Sequence, residues 1–412
     1  MSNLIETAGG VTLELSIYKG PGFEILLEVT GRNAQMKARG PLSKVVGYIP
    51  KGFNRSASLE KIAAVRKEDV VISYAMPPVP SAPFKRLVKA QINRLLLRSS
   101  MPESLMLLVT ARCQCKCKHC IFHGFEKGRE LSTEEFYSVI DQALELGAYH
   151  VSFEGGEPTL RDDIFDLIDH VDKNMASTHL ITNGLRLTKE YVRKLKKAGL
   201  EYLHVSLDSP YQEGHDEFRG VEGTFEKASA GVKYGVEEGL IGIVEYTATP
   251  YNSDFETLEE LYGHCRSLGV HEILISDVVP GGRWEHHEDN IVKKEDYDGI
   301  VAFRDEANKR KDGPRVSTSF SYRDPKVMGC FAGRRWVWVT STGEVMPCLH
   351  VHLSFGNVRD LSLKSIWKKI RGDPLFSKKP ETCAWRDPMY RAHSNQIETA
   401  LKEETLPYRT GK

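Results

Sequence analysis

Residues 104–120 read SLMLLVTARCQCKCKHC. The first seven residues form an apolar run with the length and composition of a buried strand. The loop that follows holds Cys113, Cys117 and Cys120 in the spacing C-x3-C-x2-C. Three thiolates so close together suit three irons of a [4Fe–4S] cube and leave the fourth iron without a protein ligand. A zinc site that also uses Cys115 is the alternative, but this spacing lacks the separated cysteine pairs of common structural zinc sites.

Strand-like and helical patterns alternate from this strand to about residue 312. The six predicted strands lie at 104–110, 150–153, 178–182, 202–207, 241–248 and 272–277. The helical patterns lie at 133–146, 162–173, 189–198, 225–238, 255–268 and 294–308. Successive βα units require a parallel sheet with right-handed crossovers, and six are too few for a closed eight-unit barrel. We therefore predict an α/β fold, a partial (β/α)6 TIM-like barrel, with its chemistry at the carboxyl ends of the strands.

Smaller modules are predicted on both sides of the barrel. Residues 1–75 are predicted to form a β-rich accessory domain, because apolar and polar residues alternate on both sides of a Gly-Pro-Gly turn. Residues 76–100 combine a proline-rich linker with a basic amphipathic helix over 84–98. We favour a helix that packs its apolar face on the next domain over one that lies on a membrane surface. The barrel is assigned to 101–312, and a small extension with a tail to 313–412.

The composition restricts the class of protein. The 412 residues include 56 Lys plus Arg and 56 Asp plus Glu, so the net charge is zero and no nucleic-acid partner is expected. Glu6 falls where a secretion signal would be apolar, and no apolar run of about 18 residues occurs. We expect a soluble, cytoplasmic protein. In a reducing cytosol, the clustered cysteines are better interpreted as metal ligands or nucleophiles than as disulfides.

The motifs at the strand ends resemble those of the radical S-adenosylmethionine superfamily, whose cluster loop is C-x3-C-x2-C. The resemblance covers about residues 104–312. Its further motifs are GGEP at 155–158, ITNG at 181–184, VSLD at 205–208, HDEFRG at 215–220, GTF at 223–225 and PGGR at 280–283. Their order on successive strand ends is specific, although each motif alone is weak. The resemblance implies an enzyme that reductively cleaves S-adenosylmethionine at a [4Fe–4S] cluster to a 5′-deoxyadenosyl radical, which abstracts hydrogen from a substrate.

The resemblance also assigns roles to the cysteine loop and to the turn after the second strand. The three cysteines of the C-x3-C-x2-C motif would bind the cluster, and Cys115 would be a spectator. Gly155 and Gly156 would let the backbone approach the methionine part of the cofactor, because they have no Cβ. Glu157 would pair with the methionine ammonium group.

Polar residues on the later strand ends complete the cofactor site that the resemblance implies. Asn183, Ser206 and Asp208 stand where members of the family contact the ribose or the methionine. Arg219 would pair with the cofactor carboxylate. His119 takes the place of an aromatic residue that packs near adenine. Each of these residues alone is more often a cap or a loop residue, and only their convergence on one rim favours a cofactor site.

The segment after residue 312 resembles the SPASM or shortened twitch extension, which carries auxiliary iron–sulfur clusters. Cys330 and Cys348 are separated by 17 residues, which matches the spacing of that extension, and Cys383 is a third candidate ligand. A full SPASM extension has seven cysteines for two clusters, whereas this chain has three. We therefore expect at most one auxiliary cluster, with an open iron or with His350 or His352 as a further ligand. Three unligated thiols are the alternative.

Members of this subgroup act on peptide or protein side chains, tetrapyrroles, sugars and aminocyclitols. We favour a peptide or protein substrate, because the extra N-terminal module resembles a recognition accessory in its layout. A radical enzyme of small-molecule cofactor, tetrapyrrole, sugar or lipid biosynthesis is one alternative. A non-catalytic iron–sulfur or zinc scaffold is another, but a scaffold has no need of Glu157 and the glycine pair. The resemblance also implies a reducing partner such as ferredoxin or flavodoxin.

Overall fold

The computed structural model describes residues 2–7, 10–57, 61–97, 101–125, 128–279, 281–284, 287–323, 329–377, 383 and 407–409. An antiparallel sheet occupies the N-terminal part of these residues, and a nine-stranded, mostly parallel sheet forms the centre of the fold. The C-terminal segments pack against the central sheet and its helices.

The N-terminal sheet has four antiparallel strands in chain order. They are β1 (Ser2–Thr7), β2 (Gly10–Gly20), β3 (Phe23–Thr30) and β4 (Asn33–Arg39). β2 and β3 form the predicted hairpin, with Gly20 opposite Phe23. Leu15, Ile17 and Leu27 are buried on one face, as the alternation requires. The predicted β-rich accessory domain is confirmed.

Three helices and a short hairpin complete the part before the barrel. They are α1 (Ser43–Val46), α2 (Tyr48–Ala57), β5 (Ala64–Val65), β6 (Val70–Val71) and α3 (Ala82–Leu97). Phe84 and Val88 of α3 enter the core of the N-terminal sheet. α3 therefore packs its apolar face on its neighbours, which is the alternative favoured from the sequence. No helix among the described residues is long and apolar enough to span a bilayer.

The central sheet has the strand order β13-β12-β11-β10-β9-β8-β7-β14-β15. Its strands are β7 (Ser104–Thr110), β8 (His150–Gly155), β9 (Ser177–Thr182), β10 (Tyr202–Ser206), β11 (Ile241–Ala248), β12 (Glu272–Asp277), β13 (Arg315–Thr318), β14 (Trp336–Val339) and β15 (Val345–Met346). All neighbours are parallel except β14 and β15. The partial barrel is confirmed, and β13 and β14 widen it beyond the six predicted strands.

Helices cover one face of this sheet. They are α4 (Thr133–Leu146), α5 (Ile164–His170), α6 (Lys189–Lys197), α7 (Gln212–Arg219), α8 (Thr224–Glu237), α9 (Phe255–Ser267) and α10 (Lys294–Lys309), with 3-10 turns at Pro158–Leu160, Gly282–Trp284 and Glu288–Asn290. Leu105, Leu107 and Val109 of β7 belong to the apolar layer shared with the helices. The alternate residues of each strand therefore face the barrel interior.

The C-terminal part adds short helices and a separate two-stranded sheet. They are α11 (Ser319–Arg323), β16 (Leu353–Ser354), α12 (Leu363–Gly372), α13 (Pro374–Ser377) and β17 (Tyr408–Arg409), which pairs with β16. Ile366 and Ile370 of α12 join the apolar layer of the barrel. The sheet continues past residue 312, because β13 pairs with β12 and β14 pairs with β7. The domain boundaries at residues 75, 100 and 312 stay predictions.

A buried carboxylate connects the three parts of the chain. Glu103 lies just before β7 and forms ion pairs with Arg94 of α3 at 2.6 Å and with Arg335, just before β14, at 3.0 Å. The Tyr149 hydroxyl also donates to it, at 2.7 Å. Burial raises the pKa of this carboxyl, but the two guanidinium groups outweigh burial and hold it below the usual glutamate value.

We predict that Glu103→Ala lowers the free energy of unfolding by about 3–5 kcal/mol, because it leaves two partly buried cations facing no carboxylate. The pKa of Glu103 is lower in the folded state than in the unfolded state. Its contribution to the free energy of unfolding is therefore fully present above the ordinary glutamate pKa and is lost as the pH falls through the folded-state pKa. Denaturant unfolding at neutral pH measures the loss. Asp298→Ala, which removes the partner of exposed Lys294, is the control and should cost far less stability, because solvent screens an exposed pair. Equal losses in the two variants would contradict the prediction.

Candidate active site

The cysteine loop, residues 113–120, follows β7 at the carboxyl end of the barrel and is anchored to the end of α7. The Lys116 N–H donates to the Arg219 carbonyl, and the Lys118 N–H donates to the Phe218 carbonyl, both at 2.9 Å. α7 ends at Gly220, whose φ of +69° is the left-handed conformation that glycine adopts readily. One side of the loop is therefore fixed by backbone contacts, which do not depend on a metal.

The Gly155-Gly156 turn holds the residues that lead into the cysteine loop. The Gly156 N–H donates to the Thr110 carbonyl at 2.8 Å. Gly155 has a φ of +133°, and a Cβ on Gly156 would lie 2.3 Å from the Arg112 carbonyl oxygen. The structure thus requires both glycines for the close approach of two backbones. Their contact with the methionine part of a cofactor stays a prediction.

The loop after β12 packs on the far end of the cysteine loop. A Cβ on Gly282 would lie 2.2 Å from the Cys120 carbonyl oxygen, and the Arg283 N–H donates to that oxygen at 3.1 Å. Pro280 of the predicted PGGR motif lies outside the described residues. An open cavity of about 650 Å³ adjoins this contact, and Lys116, Lys118 and Arg283 are among its lining residues. We call it the basic cavity.

The thiols of the cysteine loop lie close to one another and to a cation. The Cys115 N–H donates to Cys113 Sγ at 3.4 Å, and Arg219 Nη1 lies 3.6 Å from Cys117 Sγ. The pKa of the Cys117 thiol is lowered to about 6 by the Cys115 side chain and, to a smaller extent, by the charge of Arg219, although burial opposes this change. No three His, Cys, Asp or Glu side chains among the described residues are already gathered around a metal position. The donor set nevertheless fits an iron–sulfur cluster, because the loop carries thiols and lysines and no carboxylate.

Glu157 is completely buried and connects the turn after β8 to the turn after β9. Its Oε1 accepts hydrogen bonds from the Thr159 N–H at 3.1 Å, the Thr159 hydroxyl at 2.5 Å and the Thr182 hydroxyl at 2.7 Å. Its Oε2 accepts from the Asn183 N–H at 2.8 Å. Burial raises the pKa of this carboxyl, although the hydrogen bonds oppose the rise. The observed role of Glu157 is to position Asn183, and its pairing with an ammonium group stays a prediction.

Asn183 and the Asp208–Arg219 pair converge on the cysteine loop. Asn183 Nδ2 lies 3.4 Å from Cys115 Sγ. Asp208 Oδ2 lies 2.5 Å from Arg219 Nη2, and both side chains are buried. Both Nη atoms of Arg219 thus have partners within the protein, one of them the Cys117 thiol. The pairing of Arg219 with a cofactor carboxylate stays a prediction.

His119 and Ser206 border the same region. The His119 ring stacks on Phe218, with 4.7 Å between the ring centroids, and lies 6.1 Å from the Trp284 ring. Burial lowers the pKa of His119 to about 4, so the ring is neutral at physiological pH. Ser206 is buried at the end of β10 and pairs with Glu245 in the sheet. The structure therefore brings all the cofactor residues predicted from the sequence to one edge of the barrel.

The C-terminal cysteines lie on neighbouring segments. Cys330 and Cys348 are buried, and the Gly333 N–H donates to the Pro347 carbonyl at 2.9 Å. Cys383 is partly buried and packs against the apolar layer of the barrel. Two buried thiols on segments joined by their backbones fit the donor set of an auxiliary iron–sulfur cluster.

A chain of hydrogen bonds inside the barrel was not predicted from the sequence. Ser177 Oγ bonds to His179 Nε2 at 3.1 Å, His179 Nδ1 to His204 Nε2 at 3.1 Å, and His204 Nδ1 to Glu245 Oε1 at 2.7 Å. Burial, followed by the charge of Glu245, raises the pKa of neighbouring Glu154 to about 8. We call these five residues the interior array. Strand alternation could have found them, because each lies on the interior-facing positions of its strand.

Curated proteins of similar sequence act in tetrapyrrole and peptide chemistry, according to their names. The AdoMet-dependent heme synthase of Oleidesulfovibrio alaskensis is 28% identical over 285 residues, 63% of this chain and 73% of that protein. The PqqA peptide cyclase of Granulibacter bethesdensis is 28% identical over 300 residues, 68% of this chain and 79% of that protein. The Fe-coproporphyrin III synthase of Methanosarcina barkeri is 28% identical over 316 residues, 70% and 78% of the two chains.

A solved structure shares the fold over most of the chain. Streptococcus suis SuiB bound to the precursor peptide SuiA superposes with a TM-score of 0.58 at 18% identity. The match covers 92% of this chain and 90% of that chain. At this identity the likeness concerns the fold alone.

We predict that Gly156→Ala prevents assembly of the cluster in the cysteine loop, because its Cβ would push away the Arg112 carbonyl. Iron and sulfide per chain after anaerobic reconstitution should fall by about four each. Gly263→Ala is the control, because a Cβ at that position of α9 meets nothing within 4 Å, and its iron content should equal that of the wild type. A wild-type iron content in Gly156→Ala would show that the loop tolerates the displacement.

Two family models match separate parts of the chain. The Radical SAM superfamily model matches residues 107–265, which include the cysteine loop. The SPASM model, described as an iron–sulfur cluster-binding domain, matches residues 330–387, which include the three C-terminal cysteines. The matches confirm the resemblance found in the motifs and the cofactors that it implies. The chain belongs to the radical SAM superfamily, carries a SPASM extension, and is an enzyme that uses a [4Fe–4S] cluster, S-adenosylmethionine and an auxiliary iron–sulfur cluster.

Proposed function

We propose that this enzyme removes a hydrogen atom from a side chain of a peptide or protein. Cys113, Cys117 and Cys120 would hold the barrel cluster. When reduced, such a cluster supplies the electron that cleaves S-adenosylmethionine to the 5′-deoxyadenosyl radical. The chain positions the cofactor and the substrate and excludes water.

The cofactor site of this proposal is the rim around the cysteine loop. Asn183, Ser206 and Asp208 would contact the ribose or the methionine, and His119 would pack near the adenine. The support is that these side chains lie at one edge of the barrel, although they come from separate segments. Gly155, Gly156 and Glu157 would shape the methionine end of the site, and Arg219 borders it.

Cys330, Cys348 and Cys383 would hold one auxiliary cluster. Such a cluster supplies a one-electron redox centre near the substrate. The Nε2 atom of buried His352 has no hydrogen-bond partner within the described structure, and this supports His352 as the non-cysteine ligand. Burial lowers the pKa of His352 to about 4, which keeps the ring neutral as a ligand must be.

The observation that carries the choice of a peptide substrate is the partly exposed carboxylate of Glu245 in the interior array. The array contains Glu154 and Glu245 and no Lys or Arg, and the side chain of Glu245 is 20% exposed. A neutral or cationic side chain can approach the Glu245 carboxylate, whereas a porphyrin propionate would meet like charge there. Glu154, whose pKa is raised to about 8, adds no negative charge at neutral pH. Within this proposal, Glu245 accepts a proton from the substrate, and its bond to His204 holds it in place.

A tetrapyrrole substrate is the second candidate. The relatives named heme synthase and Fe-coproporphyrin III synthase favour it, whereas the PqqA peptide cyclase and the SuiB complex with a precursor peptide favour a peptide. Because sequence identity to both kinds of relative is 28%, identity does not separate the candidates. The Glu245 carboxylate supports the peptide candidate.

We also propose that a ferredoxin or flavodoxin docks at the basic cavity. Lys116, Lys118 and Arg283 are exposed there, beside the loop that would hold the cluster. A patch of cations next to a redox centre attracts an acidic carrier protein and shortens the path of the electron.

We predict that the anaerobically reconstituted wild type, reduced with dithionite, converts S-adenosylmethionine to 5′-deoxyadenosine. The Cys113/Cys117/Cys120 triple Ala variant should form none, because it lacks all three thiolates for the cluster. Cys115→Ala should retain the activity and is the matched control. Mass spectrometry of the nucleoside gives the measurement, and 5′-deoxyadenosine from the triple variant would contradict the assignment of the ligands.

For the substrate class, we predict that a synthetic peptide library of randomised sequence raises the rate of 5′-deoxyadenosine formation and that Fe-coproporphyrin III does not. A subset of the peptides should lose two hydrogen atoms, as read by mass spectrometry. Glu245→Gln should keep the formation of 5′-deoxyadenosine without added substrate but slow the modification of peptides by roughly 10²–10⁴-fold, the range for loss of a general base. Consumption of Fe-coproporphyrin III without any change in the peptides would replace this proposal by the second candidate.

A further inference from the structure

We infer that Arg219 sets the reduction potential of the barrel cluster through Cys117, and that the fixed carboxylate of Asp208 limits this effect. The inference needs only the cluster in the cysteine loop. It does not depend on whether the substrate is a peptide or a tetrapyrrole.

The backbone and the side chain of Arg219 are both attached to the site. Its carbonyl accepts the Lys116 N–H at 2.9 Å, inside the cysteine loop. Its side chain is only 10% exposed. Nη1 donates to Cys117 Sγ at 3.6 Å, and Nη2 pairs with Asp208 Oδ2 at 2.5 Å. The guanidinium therefore lies between a proposed cluster ligand and a carboxylate.

Three hydrogen bonds besides the ion pair with Arg219 hold Asp208 in place. Its Oδ1 accepts the Thr247 N–H at 3.0 Å, and its carbonyl accepts from Asn252 Nδ2 at 3.2 Å. Its own N–H donates to His215 Nδ1 at 3.0 Å. These contacts come from β11, from the loop after β11 and from α7. The carboxylate thus keeps Arg219 directed at Cys117.

The physical effect of Arg219 follows from charge. Reduction adds one negative charge to a cluster, and a nearby cation that donates to a ligand sulfur stabilises the reduced state. The effect is large because a buried pair is poorly screened by solvent. The negative charge of Asp208, on the other side of the guanidinium, cancels part of the effect of Arg219 on the cluster. Removing the charge of Arg219 should therefore lower the potential, and removing that of Asp208 should raise it.

The test is a potentiometric titration of the reconstituted enzyme without S-adenosylmethionine, followed by electron paramagnetic resonance. Arg219→Gln should lower the ratio of reduced to oxidised barrel cluster about tenfold at a given potential, which is about 59 mV for one electron. Asp208→Asn should shift the potential in the opposite direction. The auxiliary cluster signal is the internal reference and should not move. Lys118→Gln removes an exposed cation of the same loop, 48% exposed, and should leave both potentials unchanged.

The two shifts of opposite sign separate an electrostatic role from damage to the site, which would move both variants in the same direction. An unchanged potential in Arg219→Gln, with weakened binding of S-adenosylmethionine, would overturn the inference and assign Arg219 to the cofactor carboxylate. If Arg219→Gln takes up no iron, Asp208→Asn decides alone, because an unchanged or lowered potential in it overturns the inference. Absence of a reducible barrel cluster in the wild type would instead refute the proposed cluster ligands.

Discussion

The close approach of two backbones at Gly155-Gly156 is the constraint on which the rest of the site depends. β7 and β8 are parallel neighbours, so their carboxyl ends meet at the same edge of the sheet. The chain leaves β7 as the cysteine loop and leaves β8 as the glycine turn, and the two segments are joined by hydrogen bonds to the Thr110 and Arg112 carbonyls. Any side chain at Gly156 would separate them. The same turn continues into Glu157, whose buried carboxylate then fixes Asn183 on the next strand end.

The strands that could be predicted from the sequence are those with long apolar runs between turn signals. The bounds of β7, β11 and β12 agree with the prediction residue for residue. β13 and β14 have four residues each. Such short segments do not show a recognisable alternation of apolar and polar residues. They are strands because the edges at β12 and β7 offer unpaired backbone groups, and that is a property of the assembled sheet.

The candidate site, too, could be predicted from the sequence only in part. The spacing of the cysteines and the order of the motifs led from the sequence to the family, and the family models agree. The partners of each side chain could not be predicted. Glu157 has four hydrogen bonds within the protein, and Arg219 has two protein partners. Burial and contacts between distant segments decide these roles, and a motif does not encode them.

A net charge of zero conceals an uneven distribution of ionisable groups between the barrel interior and its loops. The interior array carries carboxyl groups and no Lys or Arg, whereas Lys116, Lys118 and Arg283 line the basic cavity. Arg219 lies beside the loop with Asp208 bound to it. A lone buried cation there would stabilise the reduced cluster, yet reductive cleavage of S-adenosylmethionine needs a strongly reducing cluster. Because Arg219 is paired with a fixed carboxylate, it directs a donor toward Cys117 but stabilises the reduced cluster less than a lone cation would.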